Sequence, residues 1–242
     1  MTEPYFYEDA YAQTISAVVT QVRDTSVSFD RTIFYPLGGG QPGDQGSLRV
    51  NGQNITISDT RRDPETREIL HFFDAPSEQQ LRLEPGAQVQ LTLDWPRRFR
   101  HMQMHTAMHL LGSLIDAPVT GGQVGSEKSR LDFDAGDLVF DKAELTIKIN
   151  ALREQALPLL FETVSETLLD AQPELVRTMS VAPPRGVGDI RMVRIPDIDY
   201  QPCGGTHVRS LKEINPLIIS KTANKGRQNR RAQPVCDDTT HA

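Results

Sequence analysis

Cysteine is nearly absent. Only Cys203 and Cys236 occur in 242 residues, which excludes a disulfide framework and fits a reducing compartment where a thiolate stays free to bind metal. No apolar run approaches the length of a membrane span, and residues 1–10 carry Glu3, Glu8 and Asp9 in place of the apolar centre of a leader peptide. The chain is therefore expected to be cytoplasmic, with no membrane partner. Basic charge is in deficit too: 26 Lys and Arg against 32 Asp and Glu leave a net charge of -6. That argues against a protein that coats nucleic acid along its whole surface, and DNA is not an expected partner. With 38% hydrophobic residues, the chain can still build one large or two small domains around real cores.

What is present is unevenly placed. Three of the six histidines and one of the two cysteines fall into two short pairs, His105-Thr-Ala-Met-His109 and Cys203-Gly-Gly-Thr-His207. Histidines four apart share one helical face, the spacing at which two imidazoles can address one metal. Their flanks read as helix: Trp95-Pro96 opens it, Met104, Met108, Leu111 and Ile115 form an apolar stripe, and Ala117-Pro118 closes it. In the second pair, Gly204 and Gly205 allow a tight loop that brings both ligands to the same ion. Together they offer a Cys/His3 set for one Zn2+ per chain, thiolate and imidazole suiting zinc better than harder cations. Such a centre points to a zinc-dependent hydrolase. Position 106 narrows the class, because a zinc protease helix needs His-Glu-x-x-His and this chain has Thr106.

Along the chain, residues 1–93 read as β and are expected to form a small N-terminal β-barrel domain. Val27, Phe29 and Ile33, then Val89, Leu91 and Leu93, alternate with mostly polar neighbours, while Leu48–Ile57 is a hairpin signal with Asn51-Gly52 at its turn. Between them lies the loop Phe34-Tyr-Pro-Leu-Gly38-Gly39-Gly40-Gln41-Pro42-Gly43-Asp44, which lacks the Gly-Lys-Ser/Thr ending of a nucleotide P-loop. Residues 94–242 are expected to form an α+β domain. Arg130–Phe133, Leu138–Phe140 and Arg191–Ile195 read as strands, and Leu152–Leu169 reads as a helix that Pro158 kinks or splits. The overall class is α+β. Basic residues gather in two places, Arg97, Arg98 and Arg100 before the histidines, and Lys221, Lys225, Arg227, Arg230 and Arg231 in an acid-free stretch.

The two ligand pairs and the glycine-rich loop, in this order, resemble the freestanding alanyl-tRNA editing proteins, the AlaX family, and in length the medium AlaX-M class. These are similar to the editing domain of alanyl-tRNA synthetase, and the resemblance covers nearly the whole chain. It implies a hydrolase that deacylates alanine tRNA mischarged with serine, or with glycine, by cleaving the aminoacyl ester at the acceptor end. It implies that His105, His109, Cys203 and His207 are the zinc ligands. Residues Lys221–Arg231 are similar to the family's basic tail, so tRNA is the expected partner. Pro234 departs from the pattern and puts the completeness of the final strand in question.

Roles beyond the ligands are expectations. His101, Gln123 and Asp132 are candidates for proton transfer or for orienting a ligand, His101 reading more readily as solvent-facing. Gly38, Gly39, Gly40, Gln41, Thr120 and Gln123 are candidates for the amino-acid pocket, since exposed glycine amides can approach a ligand closely. Arg97, Arg98, Lys221, Lys225, Arg227, Arg230 and Arg231 are candidates for tRNA contact. Two rival readings use the same ligands: a zinc hydrolase or deaminase acting on a small molecule, and a tRNA-binding module whose zinc is structural. A deaminase requires a glutamate beside a histidine ligand and a Pro-Cys-x-x-Cys pair, of which only Pro202-Cys203 is present.

Overall fold

The computed structural model describes residues 2–73, 83–172, 176, 188–224 and 229–237. It divides into two compact units, Met1–Phe99 and Arg100–Ala242. The class is α+β, with sheet predominating. Among the described residues no helix is long and apolar enough to cross a membrane.

The first unit is built on a seven-stranded sheet in the order Gln53–Ile57, Gly46–Val50, Gln88–Leu93, Thr14–Val22, Ser26–Phe29, Ile69–Phe72, Asp59–Arg62. Alternation sets the inward face: in Gln88–Leu93, Val89, Leu91 and Leu93 are buried and the residues between them are exposed. They join Val19, Phe29, Phe34, Leu48 and Ile57 in one core. The expected hairpin is present, with Gly46–Val50 paired to Gln53–Ile57 across Asn51 and Gly52 at φ 50° and 80°. The expected barrel is not found in the pairing. Among the described residues the ladder does not close, and its two ends are consecutive pieces of chain, residues 53–57 and 59–62, that pair with different neighbours. Alternation specifies which side chains point inward, whereas closure depends on strand number, tilt and stagger, which no local pattern encodes.

Within this unit the glycine-rich loop is held from below. Gly38 and Gln41 exchange backbone hydrogen bonds of 3.1 and 2.9 Å around Gly39 and Gly40, whose φ values of 56° and 80° favour glycine. At Gly43 a Cβ would lie 2.1 Å from the Thr60 carbonyl oxygen, so the loop meets that strand by backbone alone. Asp44 then accepts from the Tyr35 amide at 2.6 Å and from the Arg98 guanidinium, which also donates to the carbonyls of Ile33 at 2.6 Å and Ala10 at 3.1 Å. Both ionic side chains are 1% exposed. The arginine expected at a tRNA surface is thus spent on the fold.

His71 is buried in the same core, with the edges of Phe29 and Phe34 packed against it. Its Nδ1 can only donate to the Val27 carbonyl, 3.2 Å away, so Nε2 accepts from the Thr32 hydroxyl at 2.7 Å and the ring is neutral. Burial pushes its pKa down to about 3, the Val27 bond opposing only in part. Between pH 6.5 and about 3 the unfolded chain therefore takes up a proton that the folded ring refuses. Stability present above pH 6.5 is lost as pH falls, by about 4–5 kcal/mol across that window. Urea titrations followed by Trp95, the sole tryptophan and part of this unit, will show that slope, and His71→Phe will flatten it. An equal slope in the variant would remove His71 from the account.

The histidines lie on helix α1 (Trp95–Leu114), whose residues from Arg100 onward belong to the second unit. The helix starts at Asp94, whose carboxylate accepts the Arg97 amide at 3.2 Å, and Pro96 sits in the first turn where no intrahelical donor is lost. Residues 101–112 are buried on every side rather than along one stripe. Two sheets follow: Val119–Gln123, Arg130–Asp134, Asn229–Cys236, Leu217–Asn224 in that order, and Leu160–Ser165, Asp189–Ile195, Asp199–Pro202. Helix α2 (Lys142–Glu154) protects the edge of Leu217–Asn224: Asn150 exchanges hydrogen bonds of 2.7 and 3.0 Å with the Leu217 backbone, and Thr146 accepts from Ile219. Helix α3 (Glu166–Ala171) is short.

Three sequence expectations are corrected in this unit. Residues 152–169 are not one helix: α2 stops at Glu154, Ala156 turns the chain at φ 54° before Pro158, and residues Leu160–Ser165 pair as a strand before α3 begins. Residues 138–140 follow a turn at Gly136 and do not pair, Leu138 donating back to Ala135. The final strand is complete through Pro234, which pairs with Ile219 and accepts from the Ser129 amide at 3.0 Å. Its ring nitrogen faces the same side as that carbonyl, just past the start of Arg130–Asp134, so the missing donor costs no regular rung.

Candidate metal centre

Two elements of the second unit supply the ligands. Helix α1 presents His105 and His109 one turn apart, their ring centroids 5.4 Å from each other. The loop after strand Asp199–Pro202 presents Cys203 and His207. The four ligand atoms lie within 4.8 Å of one another, with Cys203 Sγ 3.5 Å from His105 Nε2 and 3.3 Å from His207 Nε2. All three imidazoles are buried and the thiol is half-buried. Sequence spacing could propose two pairs; only the fold makes them one cluster.

The supporting bonds set the histidine tautomers. His109 Nδ1 is 2.7 Å from Asp199 Oδ2, which can only accept, so the proton sits on Nδ1 and Nε2 is left to bind a metal. Thr106 gives its hydroxyl proton to the Met102 carbonyl at 2.9 Å. Its oxygen must therefore accept from His207 Nδ1 at 3.1 Å, which again directs Nε2 to the cluster. Arg191 ties down the ligand loop, donating to the carbonyls of Cys203 at 2.8 Å and Gly205 at 3.0 Å. Burial alone would raise the Cys203 thiol pKa, but the neighbouring His105 and His207 charges pull it well below the usual thiol value. Burial alone would likewise lower His109, and Asp199 and Cys203 overcome this and raise it to about 10. Burial and the His105 charge push His207 well below its ordinary value. Three imidazoles around a thiolate form a site that can bind a metal cation.

Asp199→Asn is expected to weaken metal binding by about 10- to 100-fold, because the amide no longer stabilises the Nδ1–H tautomer of His109. Competition with a graded series of chelators measures this. Unchanged affinity would mean that the carboxylate does not tune its histidine.

The other candidates are scattered. His101 is 2% exposed, buried in α1 rather than facing solvent. Gln123 accepts from Arg130 Nε at 3.2 Å, and Asp132 is held by Arg130 and, through two bonds of 2.6 and 2.8 Å, by Arg231. The carboxylate at a ligand ring is Asp199. Thr120 donates to Asn229 at 2.7 Å. Arg230 and Arg231 are neighbours in a strand and so point to opposite faces of their sheet; Lys221 is exposed, and Lys225 and Arg227 lie outside the described residues. Gly38, Gly39, Gly40 and Gln41 belong to the first unit, as do Arg97, which donates to the Gly43 carbonyl at 2.8 Å, and Arg98. Sequence reading missed Asp199, Arg191 and the positive role of Thr106. Period-two alternation could have found the first: Asp199 and Gln201 precede Cys203 on one face of a strand.

Residues 190–231 match the family described as the threonyl and alanyl tRNA synthetase second additional domain, and residues 6–97 match the class II (A) tRNA synthetases. Fold and site thus define an α+β protein of the synthetase-related class with a side-chain cluster able to hold a metal ion. The chain is 36% identical to the alanyl-tRNA editing protein AlaX-M of Methanosarcina barkeri over 245 residues, spanning 96% of this chain and 97% of that one. It is 34% identical to the AlaX-M protein of Saccharolobus solfataricus, again over 96% and 97%. An alanine–tRNA ligase from Metallosphaera sedula is 30% identical over 90% of this chain but only 24% of the ligase. The chain belongs to the alanyl-tRNA editing protein family, AlaX-M type.

Proposed function

We propose that this protein hydrolyses the ester joining serine to the acceptor end of alanine tRNA, with glycine as a second substrate, and that it does so with one zinc ion held by His105, His109, Cys203 and His207. The observation that carries this reading is the gathering of those four donors in a chain related over its whole length to editing proteins. The donor set fits zinc. Ligand bonds of about 2.3 Å to sulfur and 2.0 Å to nitrogen at tetrahedral angles space the two donors about 3.5 Å apart, and the observed separations are 3.5 and 3.3 Å. When bound, the ion supplies Lewis acidity toward an ester carbonyl or a water molecule. The chain's own residues fix the geometry: Asp199 and Thr106 lock the tautomers of His109 and His207, and Arg191 holds the ligand loop by its carbonyls. The need for such an enzyme is physical, since an alanine pocket cannot strongly reject a ligand that adds only a hydroxyl.

We propose bounds of 1–93 for the β domain and 94–242 for the editing domain, a few residues before the division between Phe99 and Arg100. Lys221 and Arg230, on the paired strands Leu217–Asn224 and Asn229–Cys236, are proposed tRNA contacts together with Arg97 and with Lys225 and Arg227, which lie outside the described residues. The free thiol ligand supports a reducing, cytoplasmic setting. Four protein donors usually close a structural zinc site, which favours, as a second reading, a tRNA-binding module without chemistry. Incubating the zinc-loaded protein with serine-charged alanine tRNA separates the possibilities. Release of serine supports editing, binding without release supports the module, and neither result would leave a small-molecule hydrolase.

A further inference from the structure

An exposed aromatic ring stands beside the metal cluster without serving the core. Phe161 lies on the outer strand of the sheet Leu160–Ser165, Asp189–Ile195, Asp199–Pro202 and is 45% exposed. The register aligns Phe161 with Val193, and Val193 with Gln201, in one row across the three strands. Side chains in such a row share a face, as do residues two apart on each strand. Arg191, Asp199 and Gln201 therefore stand on the face that bears Phe161, and this is the face from which Asp199 reaches His109. The Phe161 centroid is 6.3 Å from that of His207, and the Arg191 guanidinium lies over the ring at 4.5 Å. Arg191 is itself fixed by the carbonyls of Cys203 and Gly205. A ring backed by a cation, partly open to solvent and one ring's width from a candidate metal ligand, has the form of a stacking platform.

We propose that Phe161 stacks the terminal nucleobase of the substrate tRNA while the ester on that nucleotide's ribose reaches the metal centre. This rests on the editing reading above and names a binding residue for it. Base and ester are carried by the same ribose, so a base held on a ring whose centroid is 6.3 Å from that of His207 keeps the ester beside the cluster. Stacking needs no base-specific hydrogen bonds, and the 3′ terminal base is common to every tRNA, so the platform positions the substrate without selecting among tRNAs.

The test crosses the unaltered protein and Phe161→Ala with two substrates, adds Phe161→Tyr as a control, and measures zinc content in each protein. On serine-charged alanine tRNA, Phe161→Ala is expected to raise KM by about 10- to 100-fold with zinc content unchanged, and Phe161→Tyr to stay close to the unaltered protein. On the same tRNA ending in an abasic ribose, the unaltered protein and Phe161→Ala should have equal KM. Equal KM on the intact substrate, or the same loss on both substrates, would overturn the platform while leaving editing intact. Absence of hydrolysis by the unaltered zinc-loaded protein would overturn both.

Discussion

Cys203→Ala is expected to lose its zinc on dialysis and to deacylate serine-charged alanine tRNA at least about 100-fold more slowly, the several kcal/mol of charge stabilisation a catalytic metal supplies. Removing the thiolate leaves three neutral imidazoles with no anionic donor to offset the cation. The substitution is a clean one because the backbone at Cys203 is anchored independently: its amide donates to the Arg191 carbonyl at 3.1 Å and its carbonyl accepts from the Arg191 side chain. The loop should keep its place while the metal is lost. Zinc per chain by atomic absorption and deacylation rate should fall together, with the circular dichroism spectrum unchanged. A variant that kept one zinc and full rate would rule out a necessary role for this thiolate and would reopen the nature of the centre.

The second large effect lies in the first unit and concerns folding. Asp44→Ala strands the buried Arg98 guanidinium and the Tyr35 amide, and unfolding free energy should fall by about 3–5 kcal/mol, as when one partner of a buried ion pair is removed. Urea unfolding followed by Trp95 fluorescence measures it, since Trp95 packs on Tyr11 and Phe99 in this unit. The double variant Asp44→Leu/Arg98→Met should recover much of the loss, because the cost lies in the orphaned charge rather than in a net gain from the pair. A loss below about 1 kcal/mol for Asp44→Ala would show that water reaches the site and screens the charge. Glycine-rich loop and arginine are thus joined by one buried carboxylate, and any activity assigned to the loop must be measured in variants shown to keep this pair.

The legibility of the chain varied with the range of the physics involved. Helix α1, the hairpin at Asn51-Gly52 and the strand Asp189–Ile195 are local products of periodicity and turn chemistry, and they could be read from residues alone. Residues 152–169 could not, because apolar residues at 159, 160, 164 and 168 suit a helix as well as a strand, and only pairing with Asp189–Ile195 decides between them. Arg98 was misplaced for a related reason: a charged residue in a run of three arginines looks solvated until its counter-ion, 54 positions earlier, is brought against it. Asp199 and Thr106 acquire their meaning from rings that share no local spacing with their roles.

By itself the sequence determined the identity of the four donors, the helical spacing of two of them and the absence of a protease glutamate, since each is a property of residue type at short range. Tertiary structure alone decided that donors some hundred residues apart meet, that a carboxylate and a hydroxyl orient their rings, and that one arginine is buried while one phenylalanine is not. The reason is common to all of these: burial and metal geometry are set by which surfaces pack together, and packing is a long-range outcome that local pattern constrains without specifying.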